Sequence, residues 1–337
     1  MAAYTTIDNP ELYFQTKIYT GNGTAIGSGG QAITLDGDEN MQPDFVWIKE
    51  RNNSTNHQVY DSVRGATKRI YSDGNYVEDT QTEGLTTFGS DGFTVGNDGS
   101  TNGSSDTYAA WCWKESADAG FDIVTFSGSD SNQNVSHSLS AVPQVVIVKC
   151  RTAVGEWMFG HHSNTWANRM KLNTADADGS YNWMNSGTSP TSSVFTLTGN
   201  VQDFNDNGQT YVAYVFTGKQ GFSSMGSYIG NGSTDGPFVF CGFRPAWILY
   251  KRTTDGTEGW ILQDNKRSPF NVSHVWLDPQ STGAESDSTN ANLDFLSNGF
   301  KLRHDDTRGN TSGKTYIYMA FAESPFVNSN GVPTNAR

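Results

Sequence analysis

At 337 residues, with 17% charged and 12% aromatic side chains, the chain has room for two or three domains with packed cores, which excludes disorder throughout. A net charge of −13 opposes a nucleic-acid backbone or an anionic lipid surface as partner. Its 36 glycines, many Ser, Thr and Asn, and lack of clustered helix formers favour short strands joined by turns.

Residues 1–15 read as an N-terminal docking arm. The opening Met1-Ala2-Ala3-Tyr4-Thr5-Thr6-Ile7-Asp8 lacks the basic and apolar regions of a signal peptide, and no run of 18 apolar residues suggests a membrane span. A first unit, 16–119, opens on Ile18-Tyr19-Thr20-Gly21. Pro43-Asp44-Phe45-Val46-Trp47-Ile48-Lys49 follows, apolar nearly throughout, as expected of a strand buried on both faces with proline at its first position. Asp61-Ser62-Val63-Arg64 places a carboxylate and a guanidinium three apart, as expected of an ion pair or loop clamp. Asp91-Gly92-Phe93-Thr94-Val95 carries the Asp-Gly of a tight hairpin. The unit ends on a turn, Asn102-Gly103-Ser104-Ser105-Asp106-Thr107-Tyr108, leading into an alternating strand.

The same order returns twice. A second unit, 120–220, has Pro143-Gln144-Val145-Val146-Ile147-Val148-Lys149, a degenerate Val194-Phe195-Thr196-Leu197, and Asn205-Asp206-Asn207-Gly208-Gln209-Thr210-Tyr211. A third, 221–327, has Pro245-Ala246-Trp247-Ile248-Leu249-Tyr250-Lys251, Asp264-Asn265-Lys266-Arg267, Asn298-Gly299-Phe300 and Asn310-Thr311-Ser312-Gly313-Lys314-Thr315-Tyr316. Residues 328–337 form a C-terminal tail. Pro43, Pro143 and Pro245 lie 100 and 102 residues apart; Tyr108, Tyr211 and Tyr316 lie 103 and 105 apart. Ordered anchors at one period indicate duplication. The expected fold is all-β: three tandem homologous antiparallel β-sandwich units of jelly-roll or concanavalin A-like type. A three-blade propeller is the rival, and blades of roughly 40–50 residues disfavour it. Whether neighbouring units share strands is left open.

Gln42-Pro43-Asp44-Phe45-Val46-Trp47-Ile48-Lys49, Asp61-Ser62-Val63-Arg64-Gly65-Ala66-Thr67-Lys68, Ser90-Asp91-Gly92-Phe93-Thr94-Val95 and Tyr316-Ile317-Tyr318-Met319-Ala320-Phe321-Ala322-Glu323-Ser324-Pro325-Phe326 together resemble a repeat family of unknown function in marine bacteriophage virion proteins. The resemblance runs from Tyr13 to Val327. It implies concanavalin A-like or SPRY-like sandwiches in a non-enzymatic virion protein, assembled in the host cytoplasm. A tail fibre or tail-associated adhesin binding host surface glycan or protein is the first reading. A capsid decoration or tail component making only protein contacts is the alternative. The implied partners are other virion proteins and further copies of the chain, a trimer by analogy with fibres, without nucleic acid, membrane insertion or cofactor.

No catalytic residues come with that resemblance. A hydrolase needs convergent carboxylates or a nucleophile–base pair, whereas the acidic residues fall in turns such as Asp36-Gly37-Asp38-Glu39. Metal binding is not expected. His161 and His162 should point to opposite faces of a strand. The calcium-like start Asp203-Phe204-Asn205-Asp206-Asn207-Gly208 reaches Tyr214 where a bidentate Glu is required. Cys112, Cys150 and Cys241 read as inert buried thiols. Lys49, Lys149 and Lys251 should end buried strands and extend their amines to solvent. Trp166, Trp183, Trp260 and Trp276, near polar loops, are the candidates for stacking on sugar rings, Trp183 foremost.

Overall fold

The computed structural model describes residues 3–334. With 41% of residues in strands and 6% helical, the chain is all-β, and its sheets are antiparallel. One pattern of strand order organises three large sheets. In the first the order is Phe14–Thr20, Thr107–Trp113, Phe45–Glu50, Gln58–Asp61. In the second it is Phe121–Ser127, Thr210–Phe216, Val145–Cys150, Met158–His161, with two short strands added at Asn168–Lys171 and Gly179–Ser180. In the third it is Ser223–Ile229, Thr315–Pro325, Phe243–Arg252, Ile261–Asp264. Each large sheet draws its strands from one stretch of chain, so among the described residues no strand is shared between sheets.

Each large sheet is buried on both faces, for two different reasons. One face of each is covered by a small sheet from the same stretch: Gln31–Thr34 with Gly92–Val95 and Leu85–Gly89, Gln133–Ser136 with Val194–Leu197, and Phe238–Phe240 with Gly299–Leu302 and Leu293–Leu296. These layers enclose three separate outer cores, around Val46, Ile48 and Tyr108, around Val146, Val148 and Tyr211, and around Ile248, Tyr250 and Tyr316. The opposite faces of all three large sheets meet in one central core. Phe45 and Trp47, Val145 and Ile147, and Trp247 and Leu249 alternate with the outer-core residues and point into it. Its rings touch across the sheets: Trp113 and Trp247 at 5.4 Å, Phe45 and Tyr214 at 4.7 Å, Phe159 and Trp260 at 4.5 Å. Such pairs contribute about 0.5–1.5 kcal/mol each beyond area burial. About 30 Å³ of apolar space lies among Phe45, Trp47, Trp157 and Trp247.

Double burial explains one departure from the sequence pattern. Thr107–Trp113 and Thr210–Phe216 were expected to alternate, but every residue after the first is buried. The strands after Pro43 and Pro143 are buried along their whole length, as their apolar runs predict. Both prolines precede their strands, which begin at Phe45 and Val145. Pro245 instead lies inside Phe243–Arg252, at a break in register where its missing N–H disturbs the ladder least. At the hairpin before Phe93 the two turn residues are Ser90 and Asp91. Gly92 opens the strand with φ +115°, and a Cβ there would lie 2.0 Å from Ile33 O.

The recurring Asn and Tyr close each stretch in one way. Tyr108, Tyr211 and Tyr316 donate their hydroxyls to Gly99, Gln202 and Thr307 carbonyls, and accept from the backbone N–H groups of Gly103, Asp206 and Thr311. Asn102, Asn205 and Asn310, all buried, accept from the N–H groups of Asn22, Ser129 and Asn231 just past each first strand. Asn205 is thereby committed to the backbone, as is Asp203, which accepts from Glu156 N–H.

The expected docking arm takes a different form. Phe14 and Gln15 already belong to the first strand, and Ile7 is buried in the central core. Tyr4 donates to Gly242 O, and Asp8 accepts from Ser329 in the C-terminal segment. Apolar Ile7 and Phe14 gain more from that core than from solvent, so residues 3–15 are seated on their own chain. Residues 1, 2 and 335–337 lie outside the described range.

Candidate functional site

The three large sheets meet at three joints, where most buried charge is concentrated. At each joint a strand end of one sheet reaches a loop of the next around the ring. Glu78 N–H donates to Arg151 O at 2.8 Å, Asp178 N–H to Thr253 O at 3.1 Å, and Glu285 N–H to Arg51 O at 2.8 Å. Trp157 Nε1 donates to Tyr71 O at 2.7 Å and Trp260 Nε1 to Lys171 O at 2.9 Å. These links run second-to-first, third-to-second and first-to-third, so the ring is closed.

Two joints carry matching charge clamps. Arg64 Nε donates to Asp61 Oδ2, with both side chains fully buried, and Arg64 Nη1 reaches Glu78 at 3.0 Å. Glu78 also takes a bidentate pair from Arg151, both bonds 2.9 Å. Burial raises the Glu78 carboxyl, but the Arg151 and Arg64 guanidiniums outweigh it and hold the group below its ordinary value. Arg267, Asp264, Glu285 and Arg51 repeat this constellation between the third and first sheets. Each buried Asp receives a donor from the neighbouring sheet: Tyr214 OH to Asp61 Oδ2 at 2.7 Å, Trp111 Nε1 to Asp264 Oδ2 at 3.0 Å. The Asp-x-x-Arg spacing is thus an ion pair.

The joint between second and third sheets keeps an acidic residue, Asp178, at the place of Glu78 and Glu285 but replaces the rest of the set. His161 and Asn164 stand where the other two have Asp and Arg. Thr253 stands in place of Arg51 or Arg151, and Met319 in place of Trp111 or Tyr214. His161 Nε2 lies 3.2 Å from Tyr318 O, and burial pushes its imidazole down to about 3, so it stays neutral. His162 Nε2 lies 2.9 Å from Met225 O. The two rings do not diverge as expected. The strand ends at His161, and they stack with centroids 5.0 Å apart, each committed to a carbonyl of the third sheet. No group of three or more His, Cys, Asp or Glu converges on a metal-sized site among the described residues.

The lysine expectation is corrected. Lys49, Lys149 and Lys251 are fully buried and their amines face inward. Lys49 Nζ donates to Glu50 and Asn53 carbonyls, Lys149 Nζ to Cys150 and Gly155, and Lys251 Nζ to Glu258 and to Ala175 of the second stretch. The neighbouring loop covers the strand end, so solvent is out of reach. Burial pushes each amine down to about 8. At the first joint, burial and then Asp122 push the Glu115 carboxyl up to about 7.

A model described as a domain of unknown function (DUF7483) matches residues 9–325. The chain belongs to the DUF7483 family. No curated protein sequence matches it. The single match to the DUF7483 model runs through all three large sheets.

In this DUF7483 chain none of the four sequence-nominated tryptophans is exposed. Trp166 and Trp183 lie in the second outer core, Trp276 in the third, and Trp260 at a joint. Trp183, the foremost candidate, is completely buried and donates to Asn168 O. All four indoles are buried, so none offers a free ring face to a sugar. The joint residues Glu78, Glu285, Arg51 and Arg151 were missed. A signal was present in Lys49-Glu50-Arg51 and Lys149-Cys150-Arg151, a Lys-x-Arg pattern recurring 100 residues on. Exposed aromatics lie elsewhere: Phe238 and Phe240 on an edge strand, at 45% and 60% exposure, and Tyr76, Tyr181 and Phe270 in other segments.

Proposed function

We propose that this chain is a non-enzymatic virion component of bacteriophage type, built from three homologous tandem β-sandwich units of concanavalin A-like character and serving attachment to a host surface glycan or protein. The observation that carries the reading is where the polar groups go. Asp61, Arg64, Asp264, Arg267, Lys149 and Lys251 are consumed in fixing one sheet against the next, and Lys49 in holding its own loop, as suits a rigid presenting body. The sequence strings resembling phage virion repeats support it further, as does the recurrence of one strand order. A second reading, a particle component joined only to other proteins, is favoured by Phe238 and Phe240, exposed two apart on one edge strand, where exposed aromatics suit a protein partner. Binding of the purified chain to intact candidate host cells, with and without competing surface polysaccharide, tests the first reading. Saturable binding removed by the polysaccharide is expected. A folded chain that binds no cells overturns attachment and leaves the second reading.

A further inference from the structure

Among the described residues every arginine except Arg169 has a carboxylate within 4.0 Å. The first stretch shows what Arg169 lacks. Val59, opposite Trp47, pairs with Ile70, and Phe159, opposite Ile147, pairs with Met170, so Arg169 stands where the first stretch has Arg69. Arg69 lies opposite Asp79 and donates to it twice, from Nε at 3.0 Å and Nη2 at 2.7 Å, while its Nη1 reaches Asp98 at 2.7 Å. Both acids are gone from the second stretch. Gly179 lies opposite Arg169. Val201 replaces Asp98, since its carbonyl accepts from Asn205 N–H as that of Asp98 does from Asn102 N–H. Arg169 is left with the Tyr181 ring, whose centroid lies 3.8 Å from Cζ, and with Met158 Sδ, 3.5 Å from Nη1. Its Nε is sealed from solvent, whereas Nη2 is neither sealed nor bonded. Beside Gly179 a pocket of about 140 Å³ opens, lined by Arg169, Lys171, Asp176 and Tyr181.

The group that fits is the one the first stretch supplies from its own chain, a carboxylate, which a planar guanidinium matches. Neighbouring charges narrow its carrier. Lys171 is already held by Asp176 at 3.7 Å and Glu156 at 4.0 Å, and Asp178 accepts from Asn168 Nδ2 at 2.9 Å. That leaves the Arg169 charge unanswered, with the exposed Asp176 carboxylate lining the same pocket. A phosphate would set its second charge against Asp176. A single carboxylate flanked by hydroxyls suits both, with the carboxylate toward Arg169 Nη2 and a hydroxyl donating to Asp176. A uronic acid residue carries that pattern, on neighbouring ring carbons. The volume lies well below the ~300 Å³ at which pockets enclose a drug-sized ligand, so the pocket admits the carboxylate and leaves the sugar ring at its mouth, beside exposed Tyr181. The net charge of −13 does not bar this, because at physiological salt charges beyond about 8 Å are largely screened. We propose that Arg169, with the space left opposite it by Gly179, binds the carboxylate of a uronic acid residue in an acidic glycan. The proposal rests on the attachment reading above and gives it a ligand class and a location.

Saturation-transfer NMR on the full chain tests it, with methyl glycosides of glucuronic, galacturonic and mannuronic acid beside the matching neutral hexosides. At least one uronide should bind at least tenfold more tightly than its neutral counterpart. Arg169→Gln should weaken that binding at least tenfold with an unchanged circular dichroism spectrum. Gly179→Asp is the second variant. It restores the acid of the first stretch at a position where a Cβ meets nothing within 4 Å, and it should abolish uronide binding. No transfer to any uronide overturns the site. So does binding that survives both substitutions, or an equal response to the neutral hexosides. Inorganic sulfate, phosphate or a glutamate-rich peptide that displaces the uronide at equal or lower concentration overturns the saccharide assignment. Cell binding unaffected by both variants sinks this site while attachment stands. Uronide binding lost on Gly179→Asp, in a chain that binds no cells, supports the site while attachment fails.

Discussion

Lys49, Lys149 and Lys251 are held near pKa 8, against 10.5 for an ordinary lysine. Between those values the unfolded chain keeps a proton that the folded chain has released. The unfolded state binds more protons there, so stability rises with pH across this window. Each lysine then adds roughly 1.4 kcal/mol between pH 7 and pH 9, and the three together roughly 4 kcal/mol. Groups that burial keeps neutral act in the opposite sense. Burial raises Tyr19, Tyr60, Tyr214 and Cys112, and pushes Cys241 up to about 12, while their unfolded counterparts begin to ionise near pH 9. Together these offset about 1 kcal/mol by pH 9. The chain should therefore gain roughly 2–3 kcal/mol on going from pH 7 to pH 9, where many proteins lose stability. Urea unfolding followed by tryptophan fluorescence at pH 7, 8 and 9 measures this. In Lys149→Met the rise should shrink by about one third of the lysine contribution. A wild-type stability that is flat or falling over this range would refute the buried amines. An unchanged slope in Lys149→Met would refute their assignment as its source.

Tyr214→Phe removes the hydroxyl that reaches Asp61 across the first joint and should cost about 1.5–3 kcal/mol, the range for a hydrogen bond to a charged group. Met319→Leu, at the matching place of the joint that lacks the Asp, should cost under about 1.5 kcal/mol. Equal losses in denaturant melts would remove the cross-joint bond as the cause. Gly128→Ala places a Cβ 2.2 Å from Asp206 O and should destabilise by about 1–3 kcal/mol. Gly27→Ala meets nothing within 4 Å and should be neutral or stabilising by up to about 1 kcal/mol in the same melts.

The sequence made legible what short strings carry. The runs after Pro43 and Pro143 declare doubly buried strands because each is apolar at consecutive positions. The Asn and Tyr of each closing turn are six residues apart in all three stretches, so their shared role has a local signature. What stayed hidden depends on the neighbouring stretch. Nothing near Lys251 reveals that its amine will meet Ala175 O, 76 positions away. Burial of Trp183 is set by how its own loop folds back over the second outer core. The exchange of His161 and Met319 for an Asp and its donor becomes intelligible only when the two are seen facing one another across a joint. The seating of residues 3–15 is equally illegible, because Ile7 and Phe14 are isolated apolar residues whose destination is assembled from all three sheets.

That common core has a consequence for how the chain acquires its shape during synthesis. The inner faces of the first two large sheets, with Trp47, Trp113, Ile147 and Phe216, have no complete cover until Trp247 and Phe321 have emerged. An outer core can condense as soon as its own stretch is made, because every residue it needs is local. The inner faces cannot, and they present aromatic surface for the time a ribosome takes to add the last hundred or so residues, several seconds at about 5–20 residues per second. The form that exposes this aromatic surface is thus the one with two sheets formed and the third still arriving.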